Sequence, residues 1–176
     1  MRLTDDTVAS GGDMIALLAR LAAGLGPDAP SVDDFLLRWA AVLDGHDTAD
    51  PGWSGLAGQL RAALAATPAG AVGPAALPVS AEDGVDSPQA LRRYLALLAA
   101  DFVLDRQEMA AVAARGGWTG DGGRWSYARL PDVLDTWASW LAAVLDRPGG
   151  RPWAPPVEPV TWASVAEQLG AARVYE

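Results

Sequence analysis

The stretch VTWASVAEQLGAARVYE, residues 160–176, carries the pattern that decides the fold class. Thr161 has a hydroxyl suited to capping a helix, and apolar residues follow it at spacings of three and four. They form one stripe: Trp162, Val165, Ala166, Leu169 and Ala172. The stretch therefore predicts an amphipathic helix that packs against the rest of the chain as its structural closure.

Helical spacing of apolar residues recurs along the chain, and almost no stretch alternates with period two. We predict an all-α fold, a compact bundle of about six or seven short helices. The first helix is expected to start after an Asp13 cap and to end at Gly24. The second should begin at Ser31, and the third should span residues 53–66.

The second half of the chain repeats these signals. Ser87 followed by Pro88 predicts a helix start, because the hydroxyl caps free amides and proline suits the first helical position. This helix, or a second one that continues it, should extend to GGWTGDGGRW, residues 116–125, which contains too much glycine to stay helical. The next helix is expected to start near Pro131.

Three regions follow from this pattern. Residues 1–66 form an N-terminal helical half, residues 67–86 a linker or crossover rich in Pro, Gly and Ala, and residues 87–176 a C-terminal helical domain. The linker need not separate two independent domains, since it can also be an ordered crossover.

Composition limits the classes of function. The formal charge of −9 argues against nucleic-acid binding, which depends on positive charge, and favours a basic protein partner. No apolar run approaches the roughly 18 residues of a membrane span. The chain has no Cys, and its start resembles no targeting peptide, so we expect a cytoplasmic protein without a membrane anchor.

Three segments in order carry a resemblance to a known group of domains: RRYLALLAAD, RWSYARLPDVLDTWASWLAAV and WASVAEQLGAARVYE. Residues 87–176 resemble a family of small bacterial helical domains of unknown function, which end on a W..A..L.AA.VYE signature. That family typically has Trp-Glu-Asn where this chain has Trp125, Ser126 and Tyr127. The resemblance implies a helical domain and supplies no catalytic residues. Residues 13–66 echo the same arrangement, so the two halves are predicted to be related by a degenerate duplication.

Metal and cofactor sites are not expected. His46 is the only histidine, and Asp44, Asp47 and Asp50 lie near it, but the spacing is not that of an EF-hand and these residues are common in turns. Residues 116–125 lack the lysine and hydroxyl of a phosphate-binding loop.

The glycine-rich segment and two further tryptophans are the candidate contacts for a partner or ligand, because Trp and Arg often anchor interfaces. These candidates are Trp118, Asp121, Arg124, Trp125, Trp140 and Trp153. The alternative interpretation places Trp125 in the core, with Trp118 folded back on it. Arg92 and Arg93 could receive a carboxylate or phosphate, or could simply be solvated or paired with a neighbouring acid.

No catalytic residues are predicted, since a chain without Cys and with one His lacks the usual pairing of nucleophile and base. The leading hypothesis is an acidic, non-enzymatic protein-binding module, such as an immunity or accessory factor for a basic partner. The alternative is a small-molecule-binding or catalytic protein with a Trp-lined pocket between the halves. Self-association through an exposed Trp140 or Trp153 is a third interpretation.

Overall fold

A computed structural model describes residues 7–117, 123–146 and 157–175. These residues form α-helices and no β-strand, which confirms the all-α prediction. The helices are α1 (Gly11–Gly24), α2 (Val32–Val42), α3 (Gly52–Ala65), α4 (Pro88–Ala114), α5 (Leu130–Leu145) and α6 (Trp162–Val174). Within the described ranges, no helix is both long enough and apolar enough to cross a lipid bilayer.

Three predicted helix starts are confirmed by their capping hydrogen bonds. The hydroxyls of Ser31, Ser87 and Thr161 each accept a hydrogen bond from the backbone amide three residues later. Pro88 occupies the start of α4, where its missing N–H costs no helical hydrogen bond. Local chemistry thus determines where α2, α4 and α6 begin.

The predicted start of α1 after Asp13 is wrong by one turn. Ser10 caps the helix, which begins at Gly11, and the Asp13 carboxylate accepts a hydrogen bond from the Ser10 amide at 3.0 Å. The two residues form a capping box, in which an acid at the third helical position satisfies the cap's own amide. The Ser10 hydroxyl, assisted by the backbone amides, lowers the pKa of Asp13.

The long helix α4 is continuous over 27 residues, so the predicted extension is part of one helix and not a separate element. It ends before Gly116, whose φ of 72° lies in the left-handed region that glycine adopts without strain. The buried residues of α4 end at Asp105, so its last turns extend beyond the core.

The two halves of the chain pack on each other. Helix α1 lies on α5 and α2 lies on α4, while α6 contacts both α5 and α4. Trp39 of α2 and Trp137 of α5 stack with ring centroids 6.2 Å apart. The buried apolar side chains of both halves form one hydrophobic cluster.

The segment between the halves runs along α4. The amide of Ala75 donates to the carbonyl of Ala100 at 3.1 Å, and the amide of Leu77 donates to Asp101 Oδ1 at 2.9 Å. Val85 is buried in the core. These contacts bring the backbone of the segment next to a buried acid of α4.

Candidate functional site

Arg124 and Trp125, two of the predicted contact residues, lie beside a pair of buried carboxylates on α4. Asp101 and Asp105 have no exposed surface, and their spacing of four places them on one face of the helix. Trp125 is itself buried, whereas the Arg124 side chain is 39% exposed. Trp125 is therefore a core residue, in agreement with the alternative interpretation of the sequence.

Asp101 joins three parts of the chain. Its Oδ2 accepts hydrogen bonds from Trp125 Nε1 at 3.1 Å and from Arg173 Nη1 at 2.9 Å. Its Oδ1 accepts the Leu77 amide at 2.9 Å, and Arg124 Nη1 lies 3.7 Å from that oxygen. A single buried carboxylate thus connects the crossover, the loop before α5 and the end of α6.

Asp105 holds the same loop one turn further along α4. Its Oδ2 accepts a hydrogen bond from Arg106 Nε at 2.9 Å, and its Oδ1 accepts one from the Arg124 amide. The loop approaches so closely that a Cβ on Gly123 would lie 2.7 Å from Asp105 Oδ1. Arg124 Nε also lies 3.2 Å from Glu108 Oε2, and this exposed ion pair is a further contact between the loop and α4.

The network around Asp101 and Asp105 connects separate parts of the fold and satisfies both buried carboxylates. Buried carboxylates are costly unless donors satisfy them, and each oxygen of these two acids accepts at least one hydrogen bond. Asp101, Trp125 and Arg173 belong in turn to the three sequence segments quoted above, so the network brings those segments together. This role was not predicted from the sequence. A signal was present, because one stripe at spacings of four, three and four contains Tyr94, Leu98, Asp101 and Asp105.

The remaining candidate contacts have different positions. Trp140, expected at the edge of its helix stripe and available for self-association, is 1% exposed. That expectation is wrong because α5 is covered on several sides, by α1, α6 and α2. Trp118, Asp121 and Trp153 lie outside the described residues.

All tryptophans that the structure describes are buried. Besides Trp125, four of them have an acceptor 2.9–3.2 Å from the indole nitrogen. The donor and acceptor pairs are Trp39 with Gln59, Trp53 with Glu158, Trp137 with Gln168, and Trp162 with the Thr48 carbonyl. These indoles contribute core packing with their polar edge satisfied.

The acids near His46 have separate structural contacts. Asp44 pairs with Arg92 at 3.0 Å, and Asp50 accepts the Trp162 amide at 3.3 Å. Among the described residues there is no group of three acidic or histidine side chains that could hold a metal ion.

Three acidic residues, Glu82, Asp83 and Glu167, form what we call the carboxylate cluster. Burial, and then the negative charges of Glu82 and Asp83, raise the pKa of Glu167. No ion pair joins any of the three to an arginine within the described ranges. The negative charges of Glu82 and Asp83 therefore act on Glu167, and no ion pair with an arginine of the described residues offsets them.

The buried hydroxyl of Tyr94 lies next to the same part of α6. A Cβ on Gly170 would lie 3.2 Å from this hydroxyl, and the hydroxyl has no hydrogen-bond partner among the described residues. Burial, followed by the charge of Glu82, raises the pKa of Tyr94 well above its ordinary value. The Tyr94 hydroxyl therefore lies within the electrostatic field of Glu82, one member of the cluster.

A half-open groove of about 500 Å³, the α2/α4 groove, lies between the two halves. Its walls are mostly small apolar side chains, and Arg92, Arg93 and Gln89 contribute its polar atoms. The apolar residues are Leu37, Ala40, Ala41, Ala69 and Ala96. No tryptophan is among these lining residues.

Comparisons of the chain with profiles of known protein families, with curated proteins and with solved structures found no match.

Proposed function

We propose that this chain is a non-enzymatic protein-binding module whose carboxylate cluster receives a basic side chain of a partner. The observation that carries the proposal is the action of the Glu82 and Asp83 charges on Glu167, with no ion pair from these acids to an arginine among the described residues. Such a role fits an immunity or accessory factor for a basic toxin or enzyme.

The turn that carries two of these acids is held in place before any partner binds. The Asp83 amide donates to the Ser80 carbonyl at 3.0 Å, and the Val85 amide donates to the Glu82 carbonyl at 3.2 Å. Val85 is buried in the core, which anchors the end of the turn. Because the turn is already ordered, binding there costs less conformational entropy than binding to a flexible loop.

Electrostatics favours a basic partner in two ways. A guanidinium or ammonium next to Glu167 would offset the charges of Glu82 and Asp83 and lower the pKa of Glu167. The overall charge of −9 would also steer a positively charged protein toward the surface and raise the association rate.

The non-enzymatic part of the proposal rests on the side chains present. The sequence has no Cys and a single His, and the carboxylates of Asp101 and Asp105 are committed to buried donors. The first feature removes the thiol nucleophile, and the second leaves one imidazole as a possible base.

The proposal is tested by affinity capture from native cells, with the wild-type chain and a Glu82→Gln, Asp83→Asn, Glu167→Gln triple variant as baits. A basic protein should bind the wild type in stoichiometric amounts and bind the triple variant about tenfold more weakly in calorimetry. Its affinity should also fall as salt is added, because salt screens exposed charges.

The matched control removes three charges elsewhere, in an Asp28→Asn, Asp135→Asn, Asp146→Asn variant. These aspartates are exposed and make no ion pair with the described residues. Equal weakening by both triple variants would show a general charge effect and contradict the proposed site. Retention of full affinity by the cluster variant, or capture of no stoichiometric protein, would also contradict it.

A further inference from the structure

The α2/α4 groove has the shape of a docking surface for a helix. Leu37, Ala40 and Ala41 share one face of α2, and Arg93 and Ala96 share the facing side of α4. The lining of α4 extends from Gln89 to Ala96, which corresponds to about 10 Å or two helical turns. Alanine walls allow the backbone of a third helix to approach closely.

Arg92 and Arg93 give the edge of the groove a positive charge, whereas the chain as a whole has a formal charge of −9. Arg92 Nη1 pairs with Asp44 at 3.0 Å, but the two side chains are 51% and 69% exposed, so the pair is weak and exchangeable. Arg93 makes no hydrogen bond or ion pair with the described residues. It has no acidic neighbour three or four positions away on α4 either.

We propose that the α2/α4 groove binds an acidic amphipathic helix of a partner protein. The small apolar face of this helix would lie on Ala40, Ala41 and Ala96, and its carboxylates would pair with Arg92 and Arg93. The two adjacent guanidiniums are complementary in charge to the acidic residues of the ligand. The alanines of the groove contact the apolar face of the same helix. The groove is distinct from the carboxylate cluster, so this proposal does not depend on the basic partner.

A helix fits this groove better than a small molecule does. Small ligands bind where most of their surface is enclosed, whereas this groove is half open. A helix needs only one face covered, and its remaining surface can stay in water.

The test uses the full chain, labelled for NMR, and a synthetic acidic amphipathic peptide of about four helical turns, with Ala and Leu on one face and Glu on its flanks. We expect saturable shifts at Ala40, Ala41 and Ala96. An Arg92→Glu, Arg93→Glu variant should bind about tenfold more weakly, because two attractions become repulsions. Arg93→Lys, which keeps the charge, should bind nearly as well as the wild type.

Two controls and three further outcomes decide whether the proposal fails. A scrambled peptide of equal charge should not bind, and an Arg115→Glu, Arg129→Glu variant should keep wild-type affinity. Equal binding of the scrambled peptide, or no saturable shifts up to about 1 mM peptide, would overturn it. Groove shifts that depend on protein concentration alone would also overturn it, because they would identify a second copy of the chain as the occupant. Saturation of the groove by a fatty acid that displaces the peptide would overturn it as well, because the occupant would then be a small molecule.

Discussion

Trp125 Nε1 and Arg173 Nη1 bind the same oxygen of Asp101, at 3.1 and 2.9 Å. The two donors come from the loop before α5 and from the end of α6, so one carboxylate oxygen fixes both segments on α4. The amide of Ser126 adds a direct link, since it donates to the Arg173 carbonyl at 3.0 Å. Asp101 therefore links both segments to α4.

Replacing Asp101 with alanine should strongly destabilise the protein. The change leaves the Arg173 guanidinium, the Trp125 indole and the Leu77 amide without their buried acceptor. We expect the free energy of unfolding to fall by about 3–5 kcal/mol, the usual cost of removing one partner of a buried ion pair. Urea denaturation followed by tryptophan fluorescence measures this loss.

The control for that experiment is Asp135→Ala, on the exposed side of α5. Asp135 has no ion pair or hydrogen bond with the described residues, so its loss should change stability by less than about 0.5 kcal/mol. A loss below about 1 kcal/mol for Asp101→Ala would show that the network contributes little.

Helix starts were predictable from sequence because capping is local. Ser31, Ser87 and Thr161 each lie next to the amides they satisfy, so residue type and spacing are enough to identify them. The error at α1 arose because Ser10 and Asp13 can both cap, and only the geometry decides which one does. The Gly11–Gly12 pair also concealed the first turn, since glycine disfavours helix.

The polar network was not predictable by the same reasoning. Asp101 lies 24 residues from both Leu77 and Trp125, and 72 from Arg173, so its partners are determined by packing alone. The burial of Trp140 was not predictable either. A stripe of apolar residues identifies one buried face of a helix, whereas α5 is covered on several faces. The carboxylate cluster likewise joins a turn to α6 through the tertiary fold.

Gly123→Ala should destabilise the loop that Asp105 holds. The added methyl carbon would lie 2.7 Å from Asp105 Oδ1 and 3.2 Å from the Trp125 carbonyl oxygen, so the loop must shift. A loss of about 1–3 kcal/mol is expected, as in other overpacked sites, and thermal denaturation measures it.

A glycine in open space is the matched control for that substitution. A Cβ on Gly58, within α3, would meet no atom within 4 Å. Gly58→Ala should therefore raise stability by about 0.5–1 kcal/mol through helix propensity. Equal effects of the two substitutions would mean that the close approach at Gly123 is unimportant.

Glu167→Gln should raise the melting temperature at neutral pH. Burial, Glu82 and Asp83 raise the pKa of Glu167 above its ordinary value of 4.5, so its ionised form is less favourable in the folded than in the unfolded chain. Its contribution to stability is greatest below the ordinary pKa and is lost as pH rises through the raised folded pKa. The advantage of the Gln variant should therefore shrink as pH falls to about 4.

Melting curves over this pH range test the direction of the predicted change in melting temperature. The control is Glu108→Gln. Glu108 pairs with Arg124 at 3.2 Å, so neutralising it should give no gain at neutral pH. A lower melting temperature for Glu167→Gln at neutral pH, or a gain that does not change with pH, would contradict repulsion within the cluster.

Deleting residues 171–176 should lower the melting temperature by about 10 °C, as measured by circular dichroism. The deletion removes the buried Ala172 and Arg173, whose guanidinium and carbonyl both bind elements outside α6. Deleting only residues 174–176 keeps both contacts and should cause a much smaller shift, because Val174 is 53% exposed. An unchanged melting temperature for the longer deletion would contradict the prediction that the last helix closes the fold by packing. A large loss confined to the longer deletion would instead assign the closing function to Arg173 and the carboxylate it binds.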